Sequence, residues 1–133
     1  MTDLAQMIAK LEAASEGSRE LDVDIAIASG EWTPPYGAER DADRPDVWRR
    51  SGVNYWAQYA AYTTSLDAIV ALIARKLPGV AGWSVALDTY DNSAALTDMA
   101  GETRGAVAKT LPLAACIAFL RALQAQQETS EDE

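Results

Sequence analysis

The hydrophobic period of this 133-residue chain changes at a Pro-Gly pair, and that change limits the folds open to it. In YTTSLDAIVALIARKL, residues 62–77, Leu66, Ile69, Val70, Ile73 and Leu77 recur three and four apart. That spacing gathers side chains on one helix face. Thr64 or Ser65 stands where a hydroxyl can accept from a free first-turn amide. Arg75 and Lys76 fall in the last turn, where cations meet the negative end of the dipole. Pro78 and Gly79 stop the helix. Beyond them Trp83, Val85 and Leu87 alternate with Ser84, Ala86 and Asp88, the period of a half-buried strand. Asp91-Asn92 supplies a turn, a second strand covers about 94–99, and a third follows GETRG near 105–108. A chain using both periods in this order is α+β: a small antiparallel sheet of three to four strands covered by helices in a sandwich-like arrangement.

The flanks supply further helices. Leu4, Met7, Ile8 and Leu11 make one stripe, with Thr2 as the N-cap. Ser18 can cap SRELDVDIAIASG, which carries two periods. Val23, Ile25 and Ile27 alternate as in a strand, whereas Leu21, Ile25 and Ala28 repeat as in a helix. Arg19, Glu20 and the terminating Gly30 favour the helix. Thr110 opens the last helix, with Pro112 in the first turn, where its missing amide does no harm. Its stripe is Leu113, Cys116, Ile117, Leu120 and Leu123. Residues 1–127 thus read as one domain, and 128–133 as an acidic flexible tail.

Segment 31–62 has another character. EWTPPYGAERDADRPDVWRRSGVNYWAQYA cannot stay helical across Pro34, Pro35 and Pro45. It reads as a long surface loop with a short strand near 53–59, and loops of this length are functional or disordered. It holds most of the aromatic residues: Trp32, Tyr36, Trp48, Tyr55, Trp56, Tyr59 and Tyr62. Arg40, Arg44, Arg49 and Arg50 are interleaved with them. Three arrangements fit. The rings pack the loop to the core while the arginines pair with Glu39, Asp41, Asp43 and Asp46. Or rings and guanidiniums anchor a protein partner. Or they stack and fork onto a nucleotide-type small molecule.

Composition removes several chemistries. The chain has no histidine, so a Ser–His–Asp triad, a Cys–His dyad and a His-based zinc site are excluded. The reading is non-enzymatic, without cofactor or metal; the remaining enzymatic option rests on carboxylates such as Asp88 and Asp91. A net charge of −9 and a pI near 4.4 oppose duplex nucleic acid. Cys116, the single cysteine, has no basic neighbour in sequence and reads as a core thiol in a reducing compartment. No apolar run reaches the ~20 residues of a membrane span. MTDLAQMIAKLEAA is amphipathic, with Asp3 and Glu12, unlike a secretory signal. The expectation is a cytoplasmic protein.

Two weaker constellations remain. GETRGAVAKT fails the phosphate-loop pattern because Ala108, not glycine, precedes Lys109. Arg104, Lys109 and Thr110 are left as an anion-site candidate at a helix start, against a plain turn and cap. Asp88, Asp91 and Asp98 can meet across a hairpin to hold Mg²⁺ or Ca²⁺, against simple turn capping.

YTTSLDAIVALI (62–73), PG…GW (78–83), SVALDTYDN (84–92) and AKTLPLAACIAFLRAL (108–123), with EGSRELD (16–22), resemble the phage ABA sandwich domain family of tailed-phage and prophage genomes. The resemblance implies helix–sheet–helix layering and a phage or prophage accessory protein in the host cytoplasm. It carries over no catalytic residue. Joined to the aromatic segment, it leads us to expect a binding protein, most concretely a host-defence antagonist. Such an antagonist sequesters a nucleotide signal or occludes a host protein. The alternative is a structural or assembly accessory that oligomerises through 31–62. The candidate contacts are Trp32, Tyr36, Arg44, Trp48, Arg49, Arg50, Tyr55, Trp56 and Tyr59.

Overall fold

The computed structural model describes residues 4–77, 84–97 and 101–131. The fold is α+β, with four helices and two separate three-stranded antiparallel sheets. Helix α1 spans Leu4–Ala13 and α2 spans Arg19–Ser29. The first sheet is β1 (Glu39–Arg40), β2 (Val47–Arg50) and β3 (Val53–Trp56). Helix α3 (Leu66–Lys76) follows, then β4 (Ser84–Asp88), β5 (Ser93–Thr97) and β6 (Thr103–Val107), then α4 (Leu111–Glu131).

The helical period prevails over residues 19–28. Ser18 Oγ accepts from the Leu21 amide at 3.2 Å, and the Gly30 amide donates to the Ile27 carbonyl. Of the two candidate caps for α3, Ser65 is the one used, accepting from the Ala68 amide at 3.3 Å. Thr110 Oγ1 accepts from the Leu113 amide at 3.3 Å and caps α4. The Thr2 cap, the Pro78-Gly79 stop and the Trp83 strand position lie outside the described residues.

Segment 31–62 is not a long loop. Pro34 and Pro35 precede β1, and Pro45 falls in the β1–β2 connection, so none interrupts a ladder. Ser51 and Gly52 join β2 to β3 with φ of 53° and 78°, the left-handed pair that matches the twist of a two-residue hairpin. The strand expected near 53–59 is Val53–Trp56, and it pairs antiparallel with β2.

Helix α4 lies at the centre. The stripe expected on it is only part of what is buried, since Ala114, Ala115, Ala118, Phe119 and Ala122 are also enclosed. A helical stretch apolar on every side, as residues 113–120 are, belongs inside a domain. The β4–β6 sheet sends Ala94 and Leu96 into the same core as α4, and α1 and α3 also pack on α4. The helix continues through Glu131, so residues 128–131 are helical rather than a tail; Asp132 and Glu133 lie outside the described residues.

Three separated stretches lock together at Thr63. The Thr63 amide and Oγ1 donate to Asp22 Oδ1 at 2.8 and 2.6 Å. The Ser18 amide donates to Thr63 Oγ1 at 3.0 Å. A Cβ on Gly17 would fall 2.3 Å from the Thr63 carbonyl oxygen, so this approach needs glycine. Cys116 Sγ donates to the neighbouring Tyr62 carbonyl at 3.3 Å. The motifs around 16–22, 62–68 and 111–123 therefore share a structural joint, with Asp22 and Thr63 both buried.

Candidate interaction surface

The β1–β3 sheet splits the candidate residues into an inner layer and an outer rim. Register places Trp48 opposite Arg40 and Tyr55, and Arg50 opposite Val53; by alternation these share one face. Val47, Arg49, Asn54 and Trp56 share the other.

The inner layer fastens the sheet to the body. Trp48 is only 6% exposed, its ring centroid 5.0 Å from that of Trp32. The Arg40 guanidinium lies 4.8 Å over the Trp48 ring. It also pairs with Asp24 at 2.7 Å, and its Nε donates to the Pro45 carbonyl at 2.7 Å. Asp24 takes Lys10 as well, at 2.8 Å, so one carboxylate joins α1, α2 and the sheet. That partner raises the Lys10 pKa despite partial burial. Trp32 and Tyr59 rest against the core, and Tyr59 donates to Asp46 Oδ2 at 3.2 Å. Burial and then the Asp46 carboxylate push the Tyr59 phenol up. Trp48 is thus a packing residue rather than an outward contact, and Trp32 and Tyr59 are partly buried, because burying rings against apolar surface stabilises more than leaving them wet.

The rim is what faces out. Tyr36 is 95% exposed, Trp56 56% and Val53 49%. Arg44, Arg49 and Arg50 are exposed as well. Asp41 organises one side. Its Oδ1 accepts from the amides of Asp43 and Arg44 at 2.8 and 2.9 Å, and its Oδ2 pairs with Arg49 at 3.0 Å. Those amides, with Arg49, hold its carboxyl below the usual range. Arg49 Nε also donates to Asn54 Oδ1 at 3.1 Å. Arg50 Nη1 donates to the Tyr36 carbonyl at 2.7 Å, and the guanidinium lies 5.7 Å from the Tyr55 ring centroid. Among the described residues Arg50 has no carboxylate partner.

This arrangement takes Trp48 out of any stacking site. Base stacking needs a free ring face beside an uncommitted guanidinium. The buried Trp48 ring already meets Trp32 and Arg40. Exposed Tyr36, and exposed Trp56, Arg49 and Arg50 on the β2–β3 hairpin, are residue types that anchor protein interfaces.

The other candidates do not assemble. Arg104 stands opposite Leu96, whereas Ala108, just before Lys109, bonds to Asn92 at the other end of β5. Arg104 pairs with Glu102 at 3.2 Å, and Thr110 Oγ1 is engaged as the α4 cap. Asp88 Oδ1 accepts from the Tyr90 amide at 2.8 Å, a turn-capping role, and Asp98 lies outside the described residues. No cluster of three His, Cys, Asp or Glu side chains suited to a metal occurs among the described residues. A shallow concavity on the β4–β5 face is lined by Ala86, Leu87, Asp88, Thr89, Ser93 and Ala95, with Asp88 its one ionisable side chain. Cys116 is fully buried, and burial followed by the Asp22 charge drives its thiol pKa well above the usual value. No described helix is long and apolar enough to cross a membrane.

Sequence reading missed Arg40 as a staple and the β2–β3 hairpin. The hairpin had a signal: Ser-Gly between VWRR and VNYW is a two-residue turn between two strand-forming runs. The Arg40–Asp24 pair had none, because its partners lie 16 residues apart in different kinds of element. No family model, curated protein or solved structure matches this chain.

Proposed function

We propose that this chain is a non-enzymatic binding protein of phage or prophage origin that acts by occluding a host protein, most concretely as a host-defence antagonist. The phage part rests on the resemblance of its helix and strand motifs to the ABA sandwich family. The binding part rests on one observation: Tyr36, Trp56, Val53, Arg49 and Arg50 stand exposed on and beside a sheet stapled to the core through Trp48 and Arg40. A pre-organised rim loses little conformational freedom on docking. The burial of Trp48 weighs against sequestering a nucleotide. The test is affinity capture from host lysate with wild type and with a Tyr36→Ala/Trp56→Ala double variant. One host protein retained by wild type and lost by the double variant is the expected result. Identical recovery with both proteins overturns the assignment, and a thermal upshift with a nucleotide that Arg49→Ala abolishes restores the nucleotide reading.

A further inference from the structure

The outer edge of β3 is open. The Asp41 amide bonds to the Val47 carbonyl, and the Ala57 amide bonds to the Asp46 carbonyl, both at 2.8 Å. Hydrogen bonds alternate along an antiparallel strand, so Trp48 and Arg50 turn their main-chain groups to Tyr55 and Val53. Asn54 and Trp56 then direct their amides and carbonyls away from β2. Among the described residues these groups meet no partner. Apart from its four-residue length, the edge carries none of the usual blocks: β3 has no proline, no lysine and no bulge. On the other sheet the Gly105 carbonyl of β6 is met by Arg121, whose Nη1 donates to it.

Charge selects the occupant. From Val47 to Tyr59 the chain carries Arg49 and Arg50 and no carboxylate, within a protein of net charge −9. Arg50, opposite Val53 at the hairpin tip, has only a carbonyl and a ring as partners. Pairing two copies edge to edge would add a second pair of arginines to the joint. We propose that β3 receives an extended acidic segment of the partner protein as a fourth strand. Its main chain pairs with Asn54 and Trp56, and a carboxylate faces Arg50. This mode of strand addition takes affinity from main-chain bonds and selectivity from alternate side chains. It rests on the rim's being the binding surface and names the partner's chemistry there.

The test uses the full chain and a fluorescein-labelled eight-residue peptide of alternating Val and Glu, read by anisotropy. Saturable binding is expected, weakened at least about tenfold by Asn54→Pro and much less by Asn54→Ala, which keeps the outward amide. Proline at 54 removes an outward amide, so the β2–β3 ladder keeps its bonds. As a second variant, Arg50→Glu should lose the Val-Glu peptide and gain the corresponding Val-Lys peptide. No saturable binding, or equal binding by Asn54→Pro and wild type, overturns the proposal. Sedimentation showing a dimer that Asn54→Pro dissolves also overturns it, in favour of a second copy. If lysate capture still depends on Tyr36 and Trp56 while the peptide fails, strand addition falls and the rim remains the interface.

Discussion

Replacing Thr63 by valine keeps the shape of a buried side chain and deletes its hydroxyl. Two bonds go with it: the donation to Asp22 Oδ1 at 2.6 Å and the acceptance from the Ser18 amide at 3.0 Å. A bond to a carboxylate is worth about 1.5–3 kcal/mol, and an amide left without a partner costs about 1–3 kcal/mol. Ser18 is only partly buried, so water recovers some of the second loss. The expected destabilisation is about 3 kcal/mol, or roughly 10 °C in Tm for a domain of this size. Thr63→Ser keeps the hydroxyl and should lose only about 1 kcal/mol. The effect also carries a pH signature. Burial raises the Asp22 pKa, and the two Thr63 donors pull it partly back. A carboxyl whose folded pKa lies above its unfolded value, about 3.9, loses stability as pH rises through that window. Without the hydroxyl the folded pKa climbs further, so the gap between wild type and Thr63→Val widens as pH rises. Urea unfolding followed by circular dichroism between about pH 4.5 and pH 7.5 measures it. A gap below about 1 kcal/mol, or one that narrows with rising pH, would refute the interlock.

Other consequences are simpler to read. Gly17→Ala forces a Cβ against the Thr63 carbonyl at 2.3 Å, so it should destabilise by more than about 2 kcal/mol; a melt within 2 °C of wild type contradicts that close approach. Trp48→Ala should lose about 3–5 kcal/mol in urea unfolding whereas Trp56→Ala loses under about 1 kcal/mol, and the reverse order would dissolve the division into inner layer and rim. Cys116 should stay unlabelled by a thiol reagent at pH 8 until the chain unfolds, and prompt labelling of the native protein would contradict its burial.

Local order left clear marks in the sequence. Ser18, Ser65 and Thr110 cap the helices that follow them, and the alternation after residue 83 produces a meander. These are nearest-neighbour effects, set by a hydroxyl's reach or by the 2.0 and 3.6 periods. The 31–62 segment was harder to read. Three prolines suggest a loop, but Pro34 and Pro35 fall before β1 and Pro45 between β1 and β2, and the aromatic and arginine residues support packing, interface and pocket alike.

Sequence by itself determined the α+β class and where the helices begin, because caps and hydrophobic periods act within a few residues. Tertiary structure alone decided which rings are buried and which exposed. Trp48 and Trp56 belong to adjacent strands of one sheet, and nothing local to either separates a core anchor from a surface ring. The difference comes from Asp24 and Trp32, more than ten residues upstream, which fasten Arg40 and Trp48 to the body and leave Trp56 outside. Such contacts depend on long-range closure of the chain, which no short-range pattern encodes.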